Sequence, residues 1–331
     1  MTATPLLSVR NLAKHYVHGH GFFGLGKRTV KAVQDVSFDI ARGETLSLVG
    51  ESGCGKSTVG KAIAGLHPAT HGEILLNGKP ITSPEYKAGQ LWHRKVQVVF
   101  QDPYSSLDPR MRVRDIIAEP LKNFGLAKDR QDLNAQIARL IDLVRLPRDS
   151  ADRYPHEFSG GQRQRIGIAR ALAPNPELII CDEAVSALDV SVKAQIVNLL
   201  ADLRNELGLA LLFISHDLAI VDHITDRVAV MYLGRIVEIG SRNEIFDNPK
   251  HPYTRALLSA VPMVDPAARR ERIILKGELP SPFNPPSGCT FRTRCPLAQD
   301  LCAHDIPRLT PVGGNQQAAC HLLPMAPATI A

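Results

Sequence analysis

No apolar run in this chain approaches the roughly 18 to 20 residues a helix needs to cross a bilayer. Any attachment to a membrane is therefore expected to come through partners. Met1 to Arg10 lacks a basic stretch followed by an apolar core, so no secretory signal is read there and the expected location is the cytosol. Dense blocks of Lys or Arg are missing as well. The 39 basic and 33 acidic residues leave a net charge of +6, which a solvated surface of mixed sign explains as well as a nucleic-acid site would. The six cysteines include no Cys-x-x-Cys pair and no ferredoxin spacing. What remains is an ordinary soluble composition, 44% hydrophobic and 22% charged, over 331 residues. That length allows a large core plus one accessory module.

Against this plain background one run stands out: Gly50-Glu51-Ser52-Gly53-Cys54-Gly55-Lys56-Ser57, followed by Thr58. Its spacing is that of a phosphate-binding loop. Small residues let backbone N–H groups close around phosphates, Lys56 reaches the β- and γ-phosphates, and the Ser57 hydroxyl holds Mg²⁺. Such a loop belongs between a strand and a helix. Thr45 to Val49 supply β-type residues before it, and Thr58 to Leu66 can run helical after it.

Further along, Leu178-Ile-Ile-Cys181 delivers Asp182 and Glu183 to a strand end. Asp182 is placed to partner Mg²⁺, and Glu183 to polarise an attacking water. Ser159-Gly160-Gly161-Gln162 stands directly before the helix expected over Arg163 to Leu172. Ser159 can cap that helix, and the two glycines expose its N-terminal N–H groups, a second anion site. One polypeptide thus carries two phosphate-binding helix ends. A second copy facing the first could hold a nucleotide between its own loop and its neighbour's helix end.

The remainder reads as alternating strands and helices. Residues 7–40 read as β, with Val36, Phe38 and Ile40 alternating with polar neighbours; between the strands lies a glycine-rich loop over 18–28 with no legible role. Gly72 to Gly78 reads as a hairpin arm and Val96 to Phe100 as a buried strand. Residues 113–145 read as helical, with Leu133, Ile137, Leu140, Ile141 and Val144 on one face. Val192 to Leu207 forms a second apolar stripe, stopped by Gly208. Leu211 to Ile214 is another buried strand. The expected architecture is α/β, a mostly parallel sheet with a helical insertion over about 102–170. Prolines at 262, 266, 280, 282, 285 and 286 mark a boundary near Met263, with an irregular module beyond it.

With these motifs in this order, the chain resembles the nucleotide-binding subunit of an ABC transporter. The resemblance implies a P-loop ATPase domain over 1–262, with a RecA-like parallel core, an antiparallel β subdomain and a helical subdomain. Gln101 takes the place of the Q-loop glutamine, touching Mg²⁺, and His216 that of the switch histidine near the γ-phosphate. Ser159 to Gln162 become the signature and Ser186 to Asp189 the D-loop, with Asp189 and the signature acting on the partner's nucleotide. Tyr16 lies where the family stacks an aromatic ring on adenine. His251-Pro-Tyr-Thr254 with Ala256 to Ala260 is similar to the C-terminal region of dipeptide and oligopeptide importer ATPases. The implied partners are a paralogous or identical ATPase subunit, two membrane permeases and an extracytoplasmic peptide-binding protein, at the cytoplasmic face of the inner membrane. The chain departs from the family at Ala184, where a proline is usual.

Only 58 positions separate Gln101 from Ser159, which leaves no room for the coiled coils of DNA-repair and chromosome ATPases. A single such domain also differs from the paired domains of translation-factor ATPases. Nickel or glutathione as cargo stays open on the residues alone.

Of the six cysteines, Cys54 and Cys181 read as small apolar fillers. Cys289, Cys295, Cys302 and Cys320 crowd the tail, where four thiolates suit zinc or an iron–sulfur cluster. The resemblance implies [4Fe–4S], serving to fold a module with few large apolar side chains. Its distance along the chain from the other motifs leads to the expectation that it bears on stability or assembly before it touches the chemistry.

Overall fold

The computed structural model describes residues 4–18, 28–87, 91–261 and 272–323. The glycine-rich loop falls, but for its ends, outside them. Two sheets organise the rest. The smaller is antiparallel in the order β2-β1-β4-β5, from β1 (Leu7–His18), β2 (Arg28–Ile40), β4 (His71–Leu76) and β5 (Lys79–Pro80). In β2 the expected alternation holds: Val36, Phe38 and Ile40 are buried and the residues between them are not.

The larger sheet has eight strands in the order β11-β12-β10-β9-β3-β8-β7-β6. Its parallel part comprises β6 (Val96–Val99), β7 (Leu178–Asp182), β8 (Ala210–Ser215), β3 (Thr45–Val49) and β9 (Arg227–Tyr232). These strands read as continuous apolar runs because both faces are covered. Successive residues nevertheless go to opposite sides. In β8, Leu211 and Phe213 join one core while Ala210, Leu212 and Ile214 join the other.

The first of these cores packs under the helices α4 (Val113–Asn123), α5 (Arg130–Leu143), α6 (Gly160–Leu172), α7 (Val190–Leu207) and α8 (Leu218–Ile224). The second holds α1 (Lys56–Ile63), the antiparallel sheet and the side chains Tyr86 and Trp92 from the short helices α2 (Pro84–Lys87) and α3 (Leu91–Lys95). The single helical stretch expected over 113–145 is two helices. Gly125 takes a positive φ of 61° and the Asp129 carboxylate caps α5 by accepting from the Asp132 amide, so the chain turns between them. As expected, α7 ends where Gly208 adopts φ 66°.

The last strands differ most from the sequence reading. β10 (Arg235–Ser241) pairs antiparallel with β9, and α9 (Arg242–Asp247) and α10 (Pro252–Ser259) follow. Beyond the proline-rich stretch, α11 (Leu301–His304) precedes a hairpin, β11 (Thr310–Gly313) and β12 (Gln316–Ala318). β12 pairs with β10 through Glu238↔Ala318, so the tail is stitched onto the main sheet rather than forming an irregular module apart from it. Nor does it lack an apolar anchor, because Phe291 is 1% exposed and belongs to the helical-side core.

Candidate nucleotide site

Four neighbouring strands end on the same side of the sheet, and each delivers residues singled out in the sequence. The loop 50–57 follows β3, His216 follows β8, Asp182 and Glu183 end β7, and Gln101 follows β6. Parallel register aligns these ends, with Val49 opposite Ser215 and Asp182 opposite Ile214. This is the crevice outside the carboxyl ends of parallel strands, where α/β proteins place ligands.

Within the loop, Gly50 and Gly55 are required by close approach. A Cβ at Gly50 would overlap the Met231 carbonyl oxygen, and one at Gly55 the Ala32 carbonyl oxygen. Gly55 caps α1 in a left-handed conformation, φ 108°, with no side chain over the helix end. Gly53 faces open space, φ 79°, and nothing lies within 4 Å of a Cβ built there. Ser52 beside it is exposed and Thr58 half-buried on α1. The Lys56 side chain is buried and its Nζ donates to Gly50 O at 2.8 Å and Glu51 O at 3.0 Å. Those carbonyls hold the ammonium in the low-dielectric interior, where an unpaired charge would be costly. Cys54 is a buried filler whose thiol is pushed up by burial, against the pull of Lys56.

The Ser57 hydroxyl donates to Asp182 Oδ1 at 2.7 Å. Two oxygen donors so placed suit a hard divalent cation. Burial pushes the Asp182 carboxyl up, and the Ser57 hydroxyl pulls it down. Glu183 stands between two partners, Gln101 Nε2 at 3.1 Å on one carboxylate oxygen and His216 Nδ1 at 3.4 Å on the other. Its backbone is left-handed, φ 49°, which for a residue other than glycine is sparsely populated and concentrates at functional sites. The turn is held by Glu183 N–H on Ile214 O, 3.0 Å, and by the Ser186 amide and hydroxyl on Glu183 O, 3.0 and 2.9 Å. Ala184, in the place where proline is usual, is buried.

The signature segment forms a different kind of helix start. Ser159 Oγ accepts from Gln162 N at 3.3 Å while Gln162 Oε1 accepts from Ser159 N at 3.0 Å, a reciprocal capping box. Gly161 fits because a Cβ there would overlap Val192, and Gly160 lies beside Leu188. Asp189 is exposed at the start of α7 without capping it. Among the described residues, the side-chain hydrogen bonds of Ser159 and Gln162 stay within the signature itself. Helix α6 does reach the Q-loop, through Gln164 Nε2 to Phe100 O, 3.4 Å, and Arg170 Nη1 to Ser106 O, 2.6 Å. Tyr16 is half-buried on β1, edge-on to His67, with Lys14 Nζ 5.0 Å from its ring centre.

Two residues at the loop were not anticipated. The Glu51 N–H donates to the Tyr253 hydroxyl at 2.9 Å, and Arg294 Nη1 reaches Glu51 Oε2 at 2.7 Å. Tyr253 lies inside a motif that sequence reading marked only for family resemblance. Arg294 carries no signal except its place between Cys289 and Cys295. The tail is far from the loop in sequence but not in space.

The four late cysteines lie together in the tail. All four late cysteines are free thiols, and among the described residues no three His, Cys, Asp or Glu side chains are grouped to hold a metal. A ready-made four-thiolate ligand set on Cys289, Cys295, Cys302 and Cys320 is therefore not assembled. The thiols are still near enough to act on one another. Burial pushes Cys289 up to about 11, its Phe291 amide partner opposing, and neighbouring thiolates at 302, 320 and 295 add to the rise. Cys295 and Cys320 are pushed up by burial in the same way, opposed by hydrogen bonds from the Leu297 and Leu322 amides.

A family pattern described as ABC transporter matches residues 33–186, which spans the loop, the signature and the Asp182–Glu183 pair. A putative peptide import ATP-binding protein of Brucella ovis is 52% identical over 97% of this chain and 98% of its own length. This chain belongs to the ABC transporter ATPases. A second pattern, the oligopeptide/dipeptide transporter C-terminal region, matches 237–302, across the boundary expected near Met263. The oligopeptide transport ATP-binding protein AppF of Bacillus subtilis is 51% identical over 96% of the chain and 97% of its own length. Among solved structures, cbiO1 of Clostridium perfringens, part of an ABC transporter complex, superposes with a TM-score of 0.63 at 26% identity. It covers 74% of this chain and 91% of its own. A dimeric post-hydrolysis ATP-binding cassette bound to ADP and Pi gives 0.61 at 26% identity, covering 71% and 98%. No helix among the described residues is long and apolar enough to cross a membrane.

Proposed function

We propose that this ABC ATPase binds and hydrolyses ATP to drive the import of di- or oligopeptides through separate membrane permeases. The observation that carries the reading is the convergence of Lys56, Ser57, Gln101, Asp182, Glu183 and His216 at four adjacent strand ends, in a chain that also matches the oligopeptide/dipeptide C-terminal pattern. The open Gly53 cradle and the paired oxygens of Ser57 and Asp182 fit a triphosphate and its Mg²⁺. Bound there, Mg²⁺ neutralises phosphate charge and orients the oxygens. Gly50 to Thr58 close backbone amides around the phosphates, and Lys56 exchanges its carbonyl partners for phosphate oxygens. Glu183 accepts the proton of the attacking water, and His216 and Gln101, already on its two carboxylate oxygens, hold it in register. Tyr16 stacks on the base.

Ser159 to Gln162 and Asp189 act on the nucleotide of a second ATPase subunit, a paralogue or another copy. What supports this is that the side-chain bonds of Ser159 and Gln162 are satisfied within the signature, and that a related cassette is dimeric. Peptide import rests on relatives named for it in Brucella and Bacillus. The subunit attaches peripherally to the permeases, which meet an extracytoplasmic peptide-binding protein. The four late cysteines take a metal, an iron–sulfur cluster before zinc. Support comes from thiols close enough that charge on neighbouring cysteines raises Cys289, Cys295 and Cys320, and from the amides on those three. Anaerobic protein then carries about four irons per chain, lost in Cys295→Ser. One tightly bound zinc would remove the cluster, and ordered metal-free protein would remove both.

The test of the function is reconstitution with the permeases and the binding protein in vesicles. ATP hydrolysis should rise with peptide-loaded binding protein and be accompanied by peptide uptake. Hydrolysis indifferent to every peptide would remove the substrate assignment.

A further inference from the structure

The short loop between Cys289 and Cys295 carries two anchors that leave it in opposite directions. Phe291 goes into an aromatic cluster, with ring centres 5.2 Å from Tyr232 and 5.4 Å from Tyr253. Tyr232 and Tyr253 themselves lie 4.7 Å apart, and all three rings are almost fully buried. Three residues on, the Arg294 side chain is 10% exposed and forms its ion pair with Glu51, itself 27% exposed. The Arg294 amide donates back to Phe291 O at 3.0 Å, which fixes the spacing between the anchors.

Glu51 is gripped at three points. Its N–H goes to Tyr253, its carboxylate to Arg294, and its carbonyl accepts from Lys56 Nζ. That carbonyl and the one at Gly50 are the two oxygens that hold the Lys56 ammonium. A turn on the far side completes the grip, because Gly234 N–H donates to Cys54 O at 2.8 Å.

We infer that Arg294 and Tyr253 are positioning residues of the nucleotide site: the C-terminal segment clamps Glu51, and through Glu51 it sets where Lys56 meets the phosphates. The tail is then an outer wall of the phosphate loop, not only a stabilising extension. An ion pair shielded to this degree loses much when one partner is removed, because the other is left partly shielded and without its counter-charge. The loss falls on the loop, since Glu51 can then swing and carry its carbonyl with it. The clamp acts before chemistry, so affinity for ATP should suffer more than turnover once ATP is bound.

The inference rests on the reading of 50–58 as an ATP loop, which ATP binding by the unsubstituted chain tests separately. The experiment measures ATP affinity, KM and kcat in the full-length chain assembled with its partners, for Arg294→Met, Glu51→Gln and the double variant. Arg294→Met should raise the Kd and KM for ATP roughly tenfold while kcat falls by less than about threefold. The double variant should be no worse than the weaker single one, because both remove the same contact. Arg294→Lys, which keeps the charge, should recover part of the affinity. Tyr253→Phe, which keeps the ring and removes only the acceptor for Glu51 N–H, should weaken ATP binding in the same direction by a few-fold. If Arg294→Met does not fold, Arg294→Lys and Tyr253→Phe decide. ATP affinity unchanged within about twofold in any folded variant lacking the contact would overturn the clamp, as would additive losses in the double variant or a fall in kcat at constant KM.

Discussion

Helices α1 and α6 both begin at glycine-rich segments, yet the two beginnings are made differently. At α1 the capping position is Gly55 in a left-handed conformation, with no side chain over the helix end, and Lys56 and Ser57 beside it bond outward to Gly50 O and Asp182. At α6 the serine and glutamine cap each other, and their side-chain bonds do not leave the segment. A helix end that carries Lys56, lies beside Asp182 and opens at Gly53 is, under the proposed function, the end that holds this chain's own nucleotide. A helix end satisfied by its own cap is stable alone, and under the proposed function it serves a nucleotide held elsewhere. In the proposed reading the same local physics, N–H groups at a helix start, is put to two uses by what surrounds it.

The contrast is broken most severely at the first end. Lys56→Ala removes the charge partner of the β- and γ-phosphates, and ATP turnover by the assembled complex should fall to background. Near-normal turnover would show that the loop is not the nucleotide's seat. One step removed, Glu183→Gln keeps the hydrogen bonds to Gln101 and His216 within reach but loses the proton acceptor. Hydrolysis should slow by roughly 10² to 10⁴ while nucleotide binding persists. Loss of binding with the fold intact would reassign Glu183 to the ligand rather than the water.

These residues are legible in the sequence because chemistry constrains both their type and their spacing: a phosphate loop needs glycines and a lysine in fixed register, and strand ends need carboxylates. Strand β2 and the stop at Gly208 are legible for a similar reason, since periodicity and a left-handed glycine are local signals. What escapes is non-local. β12 beside β10 brings Ala318 against Glu238 across 80 positions, and no pattern inside Gln316–Ala318 announces it. Arg294 meets Glu51 across 243 positions. The break at Gly125 was available in principle, since a glycine followed by Asp129 at a capping position is a stop and a start, but the apolar face running on through Leu133 to Val144 masks it.

The tail also sharpens the comparison through pH. His251 opens α10, its Nδ1 accepting from Tyr253 N at 3.1 Å, and burial pushes its imidazole down to about 3, partly offset by a hydrogen bond with the Ala319 backbone. An unfolded histidine takes up a proton below about 6.5, and this buried one does not. Stability from His251 is therefore present above pH 6.5 and lost as pH falls toward 3, by about 1.4 kcal/mol per pH unit. Neighbouring Glu238, whose carboxyl burial pushes up, acts in the opposite sense and softens the acid end. Between pH 6.5 and 5 the melting temperature should fall more steeply in the native protein than in His251→Asn, whose amide can still cap Tyr253 N. Parallel profiles would show that His251 is not the group responsible.

A smaller effect belongs to the second helix end itself. Ser159→Ala should cost about 1 kcal/mol through the lost cap, too little to unfold a domain held by 5 to 15 kcal/mol. A fall in hydrolysis larger than that loss allows is the effect expected if Ser159 faces a nucleotide. Ser159→Arg, introduced into this chain alone within a complex whose two ATPase subunits can be told apart, decides which nucleotide that is. Trapping of labelled nucleotide, resolved by site, should show hydrolysis lost at the site formed by the partner's phosphate loop. Loss confined to the site formed by this chain's own Lys56 would contradict the division of labour between the two helix ends.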